Sequence, residues 1–80
     1  MSDRESNPAL AAALQDAALG MRVFPVVRGK KIPALKNWQK LATDDETTIR
    51  EWWSGKYRDC DIGIATGRGF FVLDVDRDHG

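Results

Sequence analysis

Asp74 and Asp76 close an apolar run, Phe70-Phe71-Val72-Leu73-Asp74-Val75-Asp76, with a single residue between them. In a strand, side chains alternate faces and rise about 3.3 Å per residue, so both carboxylates leave one face about 6 to 7 Å apart at the backbone. Two carboxylates converging from one face suit a pair of divalent ions about 3.5 to 4 Å apart, an arrangement used in phosphoryl transfer. On the opposite face Phe71, Leu73 and Val75 are apolar and are expected to anchor the strand in a core. A bare Asp-x-Asp equally fits a strand that runs out into solvent at an acidic turn.

Three neighbouring patterns compete for the same residues. Asp74, Asp76 and Asp78 stand at positions 1, 3 and 5 of a calcium loop, but His79 holds the sixth place, where an EF-hand needs glycine, and an apolar strand precedes the loop instead of a helix. His79 is read as solvated. Thr66-Gly67-Arg68-Gly69 invites comparison with a phosphate-binding loop. No Gly-Lys-Ser/Thr follows, and Val72 occupies the third glycine's place in a dinucleotide fingerprint, so the segment is read as a tight hairpin turn with Arg68 within reach of a phosphate.

The charges are unevenly placed. Net charge is zero, which argues against a strongly basic nucleic-acid binder. Yet residues 21–40 carry Arg22, Arg28, Lys30, Lys31, Lys36 and Lys40 and no acid, whereas residues 41–80 carry nine acids against five bases. A basic segment facing an acidic strand end is what a site holding both phosphates and metal ions requires. A lysine-rich solvated loop is the plainer alternative.

The elements that would position these groups can be read in order. Residues 1–6 are expected to be a disordered tail. Asn7 is a plausible N-cap with Pro8 at the first helical position, and Leu10, Ala13, Leu14 and Ala17 recur at helical spacing up to Gly20, predicting a helix over about 8–19. Arg22–Val27 is rich in β-branched and aromatic residues and predicts a strand, with Pro25 suggesting an edge or a bulge. Arg28–Ala42 shows no periodicity and reads as a long basic connection, in which Trp38 is either a hydrophobic plug or a base-stacking platform. The plug is the preferred reading.

Thr43 with Glu46 three residues on fits a capping box, predicting a helix over about 44–54 closed by Gly55. Ile49, Trp52 and Trp53 fall on one face of it, which favours core packing over a binding box. Ile62–Ala65 predicts a brief strand before the Thr66–Gly69 turn and the final strand. The fold class is α/β: two helices packed on a small sheet of about three strands.

Composition sets the bounds. Eighty residues make at most one small domain, burying only about 60–65% of the surface exposed by the unfolded chain. Apolar content of 42% and charged content of 30% are ordinary for a globular domain. No apolar run approaches the ~18 residues of a membrane span, and the polar start Met1-Ser2-Asp3-Arg4-Glu5 lacks a signal-peptide pattern. The expectation is a cytoplasmic protein with no membrane partner, and Cys60, standing alone, excludes an internal disulfide.

In their order and spacing, Gly20-x-x-Val23-Phe24-Pro25, Lys31-x-Pro33, Trp38, Ala42-Thr43-x-Asp45, Ile49-x-x-Trp52-Trp53, Ile62-Gly63-Ile64-x-x-Gly67 and Val72-Leu73-Asp74-Val75-Asp76 resemble the N-terminal part of the bifunctional DNA primase/polymerase (prim-pol) domain. That domain belongs to the archaeo-eukaryotic primase superfamily and is common in phage and plasmid replication proteins. The resemblance covers about residues 20–78. It implies a nucleotidyltransferase that makes and extends primers from nucleoside triphosphates on a DNA template, with Mg²⁺ or Mn²⁺ as cofactor and a replicative helicase domain as a further partner. Asp74 and Asp76 match its catalytic, metal-binding acidic pair. Lys31, with Lys30 beside it, matches its Lys-x-Pro stretch, and a contact to nucleotide or DNA phosphate is expected there; Arg68 is a phosphate-binding candidate from its place at the turn alone.

The chain departs from the family pattern after the acidic pair. A complete domain carries further strands with a histidine motif and another carboxylate, and His79 lies too close to Asp76 to stand in for that histidine. The expectation is therefore that residues 7–80 are roughly the first half of a prim-pol domain, truncated at the C-terminus, and that whether the chain alone is an enzyme stays open. Two rival readings remain: a non-catalytic module binding nucleic acid or a replisome partner through the basic loop, and a non-functional fragment.

Overall fold

The computed structural model describes residues 7–73; the expected tail at 1–6, the acidic pair and His79 lie outside them. Helix α1, Pro8–Ala18, begins where the sequence predicts. The Asn7 side-chain oxygen accepts from the amides of Ala9 (3.0 Å) and Leu10 (3.2 Å), two donors that the first helical turn cannot satisfy itself. Its side-chain amide donates to the Trp53 carbonyl at 2.8 Å, so the cap also ties α1 to helix α3, Glu46–Ser54. At the other end Gly20, at φ 92, lets Gly20 and Met21 donate back to Ala17 and Asp16, a Schellman closure that a side chain at residue 20 would strain.

The sheet contains β1 (Val23–Val27), β2 (Ile32–Pro33), β3 (Asp61–Ala65) and β4 (Phe70–Leu73), in the order β2-β1-β3-β4 with every pairing antiparallel. The α/β class expected from the sequence stands, with four strands; the additional strand β2 lies inside the segment read as an unstructured connection. The same segment holds a short helix α2, Trp38–Leu41. Pro25 is neither at the sheet edge nor in a bulge. Its carbonyl accepts from the Ala34 amide at 3.0 Å, on the β2 side, and a residue of an antiparallel strand directs its N–H and C=O to the same side. The donor that proline lacks therefore faces the two-residue β2, where the ladder is already ending.

Alternation along β1 divides the core in two. Val23 packs with Ile62, Ile64 and Leu73 under α1 and α3, against Ala9, Ala13, Ile49 and Trp53. Phe24 and Val26 face the other way and pack with Ala42, Leu35, Trp38, Phe70 and Val72, so residues 34–42 cover the second face of the sheet. Trp53 and Ile49 are fully buried and Trp52 touches both clusters, which bears out the core role of this aromatic pair. Burial of such side chains contributes about 1.5–3 kcal/mol each, more than any single cap at about 1 kcal/mol.

α3 starts later than the capping box predicts. Thr43 exchanges both backbone hydrogen bonds with Val23, at 2.9 and 3.0 Å, which holds it extended. The cap passes to Asp45, whose carboxylate accepts from the Thr48 amide (2.9 Å) and hydroxyl (2.8 Å). These two bonds hold the Asp45 carboxyl below its usual range. The Thr66–Gly69 hairpin is as expected but is not built on left-handed glycine. The Thr66 hydroxyl accepts from the amides of Arg68 and Gly69, at 3.2 and 3.0 Å, while the Thr66 amide donates to the Gly69 carbonyl at 2.8 Å.

Two positions make testable statements about this architecture. A methyl group on Gly63 would come within 2.7 Å of Phe24 Cε2, so Gly63→Ala should cost about 1–3 kcal/mol in urea denaturation by forcing that ring aside. Asp16 sits in the last turn of α1, where a negative charge opposes the helix dipole, and its Oδ2 is buried without a hydrogen-bond partner among the described residues. Burial raises its carboxyl above the ordinary 3.8. Asp16→Ala should therefore stabilise the chain at pH 7 by about 0.5–1 kcal/mol. Because the folded chain takes up this proton first, the gain should shrink as pH falls through the raised value toward that of the unfolded chain, as followed by thermal unfolding.

Candidate functional site

β4 is the element that leads to the acidic pair, and its register fixes which end of the sheet it reaches. Ile62 pairs with Leu73 and Val26 pairs with Asp61, so the C-terminal ends of β1 and β4 and the start of β3 share one end of the sheet. β1 and β4 both flank β3 and lie about 9.5 Å apart there, two strand spacings. Asp74 and Asp76 are outside the described residues, and the strand carries the chain to Leu73 immediately before them. Leu73 packs under the helices as expected, but Phe71, on the same face, is 45% exposed. Phe70 and Val72, on the opposite face, pack against Phe24 and its neighbours.

The connection from β1 to β2 turns at that same end. Val27 pairs with Ile32, the Lys30 amide donates to the Val27 carbonyl at 3.0 Å, and Gly29 and Lys31 adopt positive φ of 75 and 57. Lys31 is the non-glycine residue in this region, and its conformation is sustained by what holds the turn. The Gly29 amide donates to Asp61 Oδ2 at 3.1 Å, an acid 8% exposed at the start of β3. The side chains of Arg28, Lys30 and Lys31 are exposed. The ion pair found among the described residues is Arg50 with Glu46, 2.8 Å apart and remote in sequence from this turn. The basic turn is thus anchored through its backbone, which leaves its cationic side chains to face solvent.

Arg68 is placed elsewhere. The β3–β4 turn lies at the opposite end of the sheet from Lys30 and Lys31, so the structure brings the two lysines together but not Arg68 with them. There it shares a cleft of about 350 Å³ with Arg22, Trp38, Gln39 and the Thr66–Gly69 turn. Arg22, which the sequence did not single out, donates from Nη2 to the Gln39 carbonyl at 2.9 Å and from Nε to the Ala42 carbonyl at 3.4 Å. Trp38 is a plug. Its ring stacks on Phe24 (centroids 4.9 Å apart, planes at 24°) and meets Phe70 edge to face at 5.0 Å, while Phe24 and Phe70 meet at 5.3 Å. Among the described residues no group of three or more His, Cys, Asp or Glu is placed to hold a metal, and no helix is long and apolar enough to cross a membrane.

Asp61 escaped the sequence reading because its partner, Gly29, is 32 positions away. The available signal was an acid heading an otherwise apolar strand. Asp61→Ala should destabilise the chain by about 1–3 kcal/mol and accelerate hydrogen exchange at the Gly29 amide, because that donor loses its acceptor. Asp61→Asn, which keeps a side-chain oxygen, should lose less by both measures.

Comparison with curated proteins and with solved structures finds no match for this chain. Comparison with family models does. The model described as bifunctional DNA primase/polymerase, N-terminal, matches residues 13–80, a span that takes in the second half of α1, strands β1 to β4, the basic turn, Asp74 and Asp76. That match covers most of the chain, in the order of motifs along which the fold is built, and the chain therefore belongs to the family of bifunctional DNA primase/polymerase N-terminal domains.

Proposed function

We propose that this chain contributes the acidic pair and a phosphate-binding turn to template-directed nucleotidyl transfer from nucleoside triphosphates. One observation carries the reading: the carboxylate-anchored basic turn at residues 28–31 lies at the end of the sheet toward which β4 runs into Asp74. The turn and the end of β4 lie at one end of the sheet, two strand spacings apart.

The donor chemistry fits a hard divalent cation. Paired carboxylates supply the oxygen ligands that Mg²⁺ and Mn²⁺ prefer, and Asp74 and Asp76 are the residues that would hold the ion. When bound, such ions lower the pKa of an attacking 3′-hydroxyl and offset charge on the leaving pyrophosphate. Lys30 and Lys31 would bind phosphate oxygens of the nucleotide or the DNA as mobile point charges. Their lack of carboxylate partners among the described residues leaves that charge available.

A second reading, a nucleic-acid-binding module without catalysis, is favoured by the exposed basic side chains and by the two arginines at the far end of the sheet. Mn²⁺ titration followed by paramagnetic broadening of amide signals separates the two. The catalytic reading expects broadening around Leu73 and the 28–31 turn, weakened at least tenfold in Asp74→Asn and Asp76→Asn, and weaker nucleotide binding in Lys31→Ala. Unchanged Mn²⁺ binding in both aspartate variants would sink it. DNA binding that survives them with a steep salt dependence would support the module instead.

A further inference from the structure

We propose that the cleft between the β3–β4 turn and α2 is a second phosphate site, distinct from the acidic end of the sheet, and that it takes a backbone phosphate of a single DNA strand. The proposal rests on the reading above that this domain handles DNA, and adds where the strand is gripped. The cleft, of about 350 Å³, is walled by Arg22, Arg68, Gln39, Thr66 and Trp38, and no carboxylate among the described residues lines it. Neither arginine forms an ion pair among the described residues.

Arg22 is pre-positioned without being neutralised. Two of the five guanidinium N–H donors are directed at the Gln39 and Ala42 carbonyls, which fixes the plane of the group while leaving its full positive charge and the remaining donors uncommitted by these bonds. Trp38, locked against Phe24 and Phe70, makes the floor rigid. The turn amides of Arg68 and Gly69 are already taken by the Thr66 hydroxyl, so an anion here would be met by side chains and not by a backbone nest. Arg68 is exposed on a turn whose shape Thr66 maintains, so its side chain can close over a ligand without rebuilding the backbone.

Length selects the ligand. Four strand steps of about 3.3 Å, from Gly69 to Leu73, put the turn about 13 Å from Leu73. A stacked strand carries a phosphate about every 3.4 Å and covers that distance with about four phosphates. The phosphates of a single nucleotide are contiguous and cannot serve both ends of β4. The cleft therefore fits a polymer running alongside the sheet, not the incoming triphosphate.

The test uses the full chain, a fluorescein-labelled oligothymidylate and dTTP. Amide shifts at Gln39 and Thr66–Gly69 should follow the oligothymidylate and not dTTP. Arg68→Ala should weaken oligothymidylate binding about five- to tenfold and reduce the salt slope by about 0.7, with Arg68→Lys retaining the slope and the thermal midpoint unchanged in both. Equal affinity and slope in Arg68→Ala, equal shifts at the turn with dTTP, or no binding of the oligothymidylate would each overturn the proposal. Its failure is separable from that of the catalytic reading, because Asp74→Asn reports on metal binding and Arg68→Ala on the strand.

Discussion

The Phe24 ring lies directly on the bare backbone of Gly63, and much of the second face of the sheet depends on that contact. With no Cβ at residue 63, the ring can sit close to the sheet, low enough for Trp38 to stack on it and for Phe70 to meet both rings edge to face. Each such aromatic pair adds about 0.5–1.5 kcal/mol beyond the area it buries. The consequence is positional. Residues 34–42 have little regular structure of their own, and this cluster is what holds them across the sheet, carrying Lys36 and Lys40 with them into solvent.

Charge is organised by the same economy of anchors. Both basic segments are tethered through backbone groups, one by a backbone amide and one by backbone carbonyls. Asp61 grips the turn at 28–31 through the Gly29 amide instead of through a lysine. Arg22 does use its guanidinium structurally, but on carbonyl oxygens, which accept hydrogen bonds without cancelling its charge. A carboxylate partner on Arg22 would have given a comparable tether and offset its positive charge. A chain with net charge zero thereby presents two cationic regions, one at each end of the sheet.

What was legible in the sequence, and what was not, follows the range of the interactions. Asn7, Pro8 and Gly20 delimit α1 through contacts within a few residues, and Ile49, Trp52 and Trp53 declare their face by local periodicity. The hairpin at Thr66–Gly69 is equally local, although its mechanism is a threonine hydroxyl and not glycine torsion. β2 and α2 were missed because two strand residues and a single helical turn are too short to show a period. The α3 cap moved because Thr43 is claimed by Val23, twenty residues earlier, in a backbone bridge that no local motif announces. Asp61 and Arg22 were missed for the same reason: each is defined by partners at least 17 residues away.

The family relation and the fold together explain why one strand matters so much. β4 is short, and its two ends meet different chemistry: a turn beside two arginines at one, the approach to the acidic pair beside a lysine turn at the other. A strand is nearly inextensible, because its ladder fixes each residue against a neighbour. The separation of the two ends is therefore set by residue count and not by side-chain reach. Phe70 and Val72 fasten β4 to the aromatic cluster on one face and Leu73 fastens it beneath the helices on the other, so it cannot shift register without exposing one set or the other. Under the function proposed for this chain, a ruler of this kind would hold a nucleic-acid strand at a constant distance from the acidic pair proposed to bind metal.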